Sequence, residues 1–191
     1  MTEAAIKAVV IGASAGAVQA LLTILPALPP SYPLPVLVVV HVPPDRSNVL
    51  VPLFQSKCQV PVKEAEDKEP LVGGVIYFAP SDYHLLVEED GAIALSSDEI
   101  VNYSRPSIDV LFESAADAYG SALTGIILTG ANHDGAAGLK AVMEAGGVAI
   151  VEDPVGAYAP TMPYAALDAC PAARTMNLDA VASYLSSLGA A

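Results

Sequence analysis

The chain has 191 residues with 8 basic and 21 acidic side chains, a formal net charge of −13, and is 53% hydrophobic but only 6% aromatic. That length fits one domain, residues 1–191, with a full core, and the high apolar content excludes a disordered chain. The acidic balance argues against nonspecific nucleic-acid or anionic-membrane binding.

Cys58 and Cys170 lie far apart and match no metal-ligand spacing, so they read as reduced thiols of a cytosolic protein. No run reaches the ~18 apolar residues of a membrane helix. Residues 1–20 are apolar, but only Lys7 precedes the run and Gly and Ser interrupt it, which does not fit a cleaved signal peptide. The expected location is the cytoplasm, without membrane insertion. Oligomeric state is not readable.

In chain order, residues 8–11 form a short β-branched run ending in glycine, the mark of a buried parallel strand. Ala17, Ala20, Leu21, Ile24, Leu25 and Leu28 then recur on one helical face, and the prolines at 29, 30, 33 and 35 make a turn. Residues 36–40 are a second buried strand followed by His41, and residues 49–54 continue a second helix, broken near Pro61. Residues 75–79, 83–87 and 92–95 suggest short antiparallel strands, with Asp90-Gly91 as a hairpin turn.

Ser107 is placed to cap a helix over 108–119 that stops at Gly120. Residues 123–128 are a third buried strand, followed by a loop at 130–135 and a helix carrying Leu139, Val142 and Met143. Residues 148–151 are a further strand. Pro154, Pro160 and Pro163 suggest a stiff surface loop, and Leu178, Val181, Leu185 and Leu188 a last helix behind Asn177. The alternation implies an α/β fold: a doubly wound, mostly parallel sheet with helices on both faces and an inserted antiparallel hairpin. Ligands of such sheets bind beyond the carboxyl ends of the strands.

Ser14, His41 and Asp134 each follow a buried strand, so the topology delivers a nucleophile, a base and an orienting acid to one sheet edge. Residues 12–16, Gly-Ala-Ser-Ala-Gly, satisfy G-x-S-x-G between strand and helix, where small neighbours let a hydroxyl project from a sharp turn. The same glycines also suit close packing or a phosphate cradle. A dinucleotide fingerprint would place glycine where Ser14 and Ala17 stand, and an acidic residue where His41 stands. His41 reads equally well as a polar strand end, although Pro43 and Pro44 would stiffen its loop. Asp134-Gly135 suits a helix cap as well as a catalytic acid. His41, His84 and His133 show no paired metal-ligand spacing.

The strand-loop segment at 9–14 resembles the nucleophile segment of the chemotaxis protein-glutamate methylesterases. Residues 41–44 (His-Val-Pro-Pro), 63–67, 79–84, 105–112, 127–130 and 134–138 are similar to further blocks of that family, in the same order, so the likeness spans roughly residues 8–185. The resemblance implies Ser14 as nucleophile, His41 as general base, Asp134 as the acid holding the imidazole, and backbone amides of Ala15 and Ala131 as the oxyanion site. It implies hydrolysis of glutamate methyl esters on the cytoplasmic helices of chemoreceptors, with glutamine deamidation in some members, and no metal or organic cofactor.

The chain departs from the family at Ala15 (commonly Thr), at Ala17 (commonly Gly), over residues 131–133 and in part over 160–163. Family members commonly start with a receiver domain, whereas here the catalytic segment starts at once; a stand-alone member and an excised domain both fit, and in either case phosphorylation within this chain is not expected to gate the site. Two other functions stay open on the sequence: a noncatalytic binding module on the same fold, and an esterase or amidase with another target. Arg46 and Arg105 lie near the expected site loops, where they would supply positive potential to an acidic protein.

Overall fold

A computed structural model of the chain describes residues 5–42 and 49–189. Among them, seven parallel strands form one sheet in the order β3-β4-β2-β1-β7-β8-β9. These are β1 Ala8–Ala13, β2 Val36–Val40, β3 Val62–Glu64, β4 Ile76–Phe78, β7 Leu123–Ile127, β8 Val148–Glu152 and β9 Arg174–Met176; β5 His84–Val87 and β6 Ile93–Ser96 form a separate antiparallel pair. The helices are α1 Ala17–Ile24, α2 Leu50–Gln55, α3 Ile108–Tyr119, α4 Ala136–Glu144, α5 Thr161–Ala169 and α6 Leu178–Leu188.

The central strands β1, β2 and β7 are buried along their whole length because both faces of the sheet are covered. Val9, Ile11 and Ala13 join Val36, Val38 and Val40 in one core with α1, α2 and α6. Ala8, Val10, Leu37 and Val39 point the other way, into a core with α3, α4 and α5. The doubly wound expectation is met, and β1 lies between β2 and β7, where the winding reverses direction. Ser14, His41 and Asp134 follow β1, β2 and β7, so all three stand at the reversal.

The structure corrects several expectations. Residues 75–79 do not join an antiparallel set: β4 runs parallel between β2 and β3, and Ile76, Tyr77 and Phe78 are all buried, as a two-faced strand requires. The hairpin is β5–β6 alone, turning at Gly91 with φ 82°. α1 ends at Ile24 and tightens to a 3-10 turn over Leu25–Ala27, because Pro26 has no N–H to continue the ladder. The loop expected from Pro154 to Pro163 closes into α5, whose third residue is Pro163; first-turn amides have no helical partner, so proline costs little there. The three-residue strands β3 and β9 were too short to show a pattern.

Candidate active site

The turn after β1 is held from the neighbouring strand end. The Ser14 N–H donates to the Thr129 carbonyl (2.9 Å), and the Thr129 hydroxyl donates to the Ala15 carbonyl (2.8 Å). Thr129 is itself fixed, its N–H donating to Glu152 Oε2 (2.8 Å) and its Oγ1 accepting the Ala159 N–H (2.8 Å). Gly16, at φ 84°, makes the left-handed step that sends the chain into α1. Gly12 is required by packing: a Cβ there would lie 2.4 Å from Ile108 Cγ2. Thr129 lies in the family-like block at 127–130 but carried no role there, and Glu152 carried no motif; only their places at the ends of adjacent buried strands could have suggested these roles.

His41 leaves β2 with its N–H donating to the Ala13 carbonyl (3.2 Å), which brings its ring beside the serine turn. Its Nε2 lies 2.7 Å from Asp134 Oδ2. The Asn132 amide approaches Nδ1 at 3.3 Å, while Asn132 Oδ1 accepts the Asp134 N–H at 3.0 Å and so turns the NH2 toward the ring. With Nε2–H donated to a carboxylate, the ring's lone pair sits on Nδ1.

Asp134 is fully buried and nearly saturated. Oδ2 accepts from His41 and from the Ile108 N–H (2.7 Å); Oδ1 accepts from Asn102 Nδ2 (2.8 Å), Ser107 Oγ (2.9 Å) and the Asp109 N–H (3.1 Å). Burial pushes this carboxyl up, but the bonds from His41, Ile108, Asn102 and Asp109 outweigh it and hold it below the usual range. Ser107 stands at the N-cap of α3 as expected, yet its hydroxyl makes no cap; it serves Asp134, whose carboxylate takes the helix's first amides instead.

Ser14 and His41 line one cleft of about 220 Å³ with Ala17, Val18, Val40 and Leu50. No hydrogen bond joins the two side chains; among the described residues the ring's partners are Asp134 and Asn132. The other flank of His41 faces a cleft of about 340 Å³ bordered by Ile100, Tyr103 and Arg105. Neither the Ala15 nor the Ala131 amide donates to another described residue.

Arg105 is committed elsewhere: Nη2 and Nε donate to Asp82 Oδ1 (2.7 and 3.1 Å) and Nη1 to the Ser97 and Asp98 carbonyls, so its charge is largely spent at the cleft wall. Arg46, Pro43 and Pro44 lie outside the described residues. His84 is structural; Nδ1 accepts the Ser107 N–H and Nε2 donates to the Glu99 carbonyl. His133 sits exposed at the start of the turn into α4. Cys58 and Cys170 are unpaired thiols, both pushed up by burial, Cys58 to about 11.

Compared with known proteins, residues 9–185 match the family described as CheB methylesterase. The chain belongs to the CheB methylesterase family. It is 44% identical over 176 residues to a putative protein-glutamate methylesterase/protein-glutamine glutaminase of Leptospira interrogans, covering 92% of this chain and 91% of that one. It is 40% identical over 189 residues to protein-glutamate methylesterase/protein-glutamine glutaminase 4 of Geobacter metallireducens, covering 98% of this chain but 54% of the relative. The crystal structure of the Thermotoga maritima CheB methylesterase catalytic domain superposes with a TM-score of 0.91 at 34% identity, over 97% of this chain and all of that one. Family and fold therefore agree with the resemblance carried by the dispersed motifs. Among the described residues of this CheB methylesterase family member, no helix is long and apolar enough to cross a membrane.

Proposed function

We propose that the chain is a serine carboxylic ester hydrolase that removes methyl esters from glutamate side chains of chemoreceptors, with Ser14, His41 and Asp134 as its triad. The observation that carries this reading is the 2.7 Å bond from His41 Nε2 to a fully buried Asp134, in a ring that shares a cleft with Ser14. Family membership and the relatives' names, which couple methylesterase with glutaminase, support the substrate class.

In this mechanism the Asn132 amide gives up its long 3.3 Å contact with His41 Nδ1, and Ser14 Oγ attacks the ester carbonyl while its proton passes to that nitrogen. Asp134, ionised through neutral pH, stabilises the imidazolium through Nε2–H. The Ala15 and Ala131 amides receive the oxyanion. Methanol leaves with the proton from His41, and water, activated by the same ring, releases the glutamate carboxylate and restores Ser14. A glutamine amide follows the same course with ammonia as leaving group. The reaction takes place in the cytoplasm on the receptor's cytoplasmic helices, with residues 1–191 acting as one catalytic domain and without metal or organic cofactor.

The test is methanol release from methylated receptor by the wild type and by Ser14→Ala. A loss of about 10³-fold or more is expected on removal of the nucleophile. Equal release by both proteins overturns the triad, and preference for an unrelated ester overturns the receptor assignment.

A further inference from the structure

The turn at residues 101–104 bears on the buried acid from outside the triad. Val101 and Ser104 exchange backbone bonds (3.2 and 2.9 Å) across a two-residue turn in which Asn102 and Tyr103 both have positive φ, 52° and 61°. Asparagine tolerates that left-handed backbone better than most residues, and the conformation fixes where its side chain goes. It goes inward. Nδ2 donates to Asp134 Oδ1 (2.8 Å) and to Asp109 Oδ2 (2.7 Å), so one amide spans two buried carboxylates.

Two anions in one desolvated pocket repel, and the usual outcome is that one of them takes a proton. If Asp134 were that one, it could no longer hold an imidazolium. The donors are divided so as to keep the charge on Asp134: five reach it, from three segments of the chain, while Asp109 receives Gly135 N–H (3.0 Å), Gly138 N–H (2.6 Å) and the shared amide. Asp109 is correspondingly raised, by burial first and by the neighbouring Asp134 charge as well.

We propose that Asn102 is a positioning residue for the reaction: its amide, inserted between Asp109 and Asp134, keeps the triad carboxylate ionised and aligned on His41. The inference rests on the triad assignment above. The ionisable groups that face Asp134 are His41 from the β2 edge and Asp109 from α3, with Glu113 one turn further along the same helix.

The test reads acylation of Ser14 by a fluorophosphonate from about pH 4.5 to about pH 8.5, roughly two units either side of an ordinary imidazole, for wild type, Asn102→Ala and Asn102→Ala/Asp109→Asn. In Asn102→Ala the acylation rate at neutral pH falls about tenfold, and the acidic limb of the profile, which belongs to the His41–Asp134 pair as a unit, moves to higher pH. Removing the second carboxylate in the double variant returns the limb toward its wild-type position. A merely structural role for the turn instead lowers the rate equally at every pH, without movement of the limb and without rescue by Asp109→Asn; that result, or a wild-type rate and profile in Asn102→Ala, overturns the proposal. Wild-type Ser14 that takes no label refutes the serine-hydrolase reading itself, so the two failures are distinguishable.

Discussion

Asp109 and Asp134 cap each other's helices. Asp134, just before α4, accepts the Ile108 and Asp109 amides at the start of α3, while Asp109, in the first turn of α3, accepts the Gly135 and Gly138 amides at the start of α4. Orphan N–H groups and the positive ends of two helix dipoles thus solvate two buried carboxylates. The exchange ties α3 to α4 and fixes the acid that His41 meets.

Asp134→Asn tests that exchange. An amide at this position turns its NH2 onto either the Ile108 or the Asp109 N–H, which can only donate, and leaves that group unsatisfied in the interior. Stability is expected to fall by about 2–4 kcal/mol in urea denaturation, and esterase turnover by about 10³–10⁴-fold. Wild-type turnover from this variant removes Asp134 from the mechanism.

The buried carboxyls also set how stability follows pH. Asp134 is held low, so its contribution is present above the ordinary aspartate value and is lost as pH falls through the lower folded value. Glu152 is raised, mainly by burial and further by Asp153, against the Thr129 bond; its ionisation therefore costs stability at neutral pH, and the cost disappears as pH falls through the raised value. Glu152→Gln, which keeps an acceptor for the Thr129 amide, should raise the urea midpoint at pH 8 and leave it nearly unchanged at pH 4. A lower midpoint at pH 8 contradicts this sign.

Thr129→Val keeps the shape of a side chain only 1% exposed but deletes the hydroxyl between the Ala15 carbonyl and the Ala159 amide. The unmade bonds are expected to cost about 1–3 kcal/mol. The serine turn loses its lateral tie, so turnover should drop about tenfold, as small misplacements of a reacting group do. Thr129→Ser restores the hydroxyl and should recover most of both. Paired measurements of Tm and kcat for the two variants decide it.

Gly12→Ala inserts a methyl 2.4 Å from Ile108 Cγ2, inside a packed core. Overpacking of this kind costs about 1–3 kcal/mol. Ile108 also supplies one of the amides on Asp134, so the strain pushes on the acid's own cap. A Tm lowered by several degrees, with a further loss of kcat in the fraction that stays folded, is the expected result; an unchanged Tm shows that Ile108 can move aside freely.

Much of the fold is legible in the chain because its signals are local. Short runs rich in Val, Ile and Leu mark β1, β2, β7 and β8, the apolar spacing from Ala17 marks α1, Ser107 and Gly120 bracket α3, and Asn177 caps α6 through its bond from the Ala180 amide. Local signals fail where a neighbour decides: β4 looks like a hairpin strand until the sheet covers both its faces, and the proline-rich stretch before α5 looks like loop until its first turn is seen to need no amides.

By itself the sequence determined that a serine, a histidine and an aspartate follow buried strands, since short apolar runs and the polar residues after them are local signals. It could not determine which nitrogen of His41 meets Asp134, that Ser107 would abandon its own helix cap, or that Thr129, Asn102 and Asp109 would surround the site. Those choices depend on competition among donors brought together from residues far apart in the chain, and only packing settles which donor lies nearest each buried oxygen.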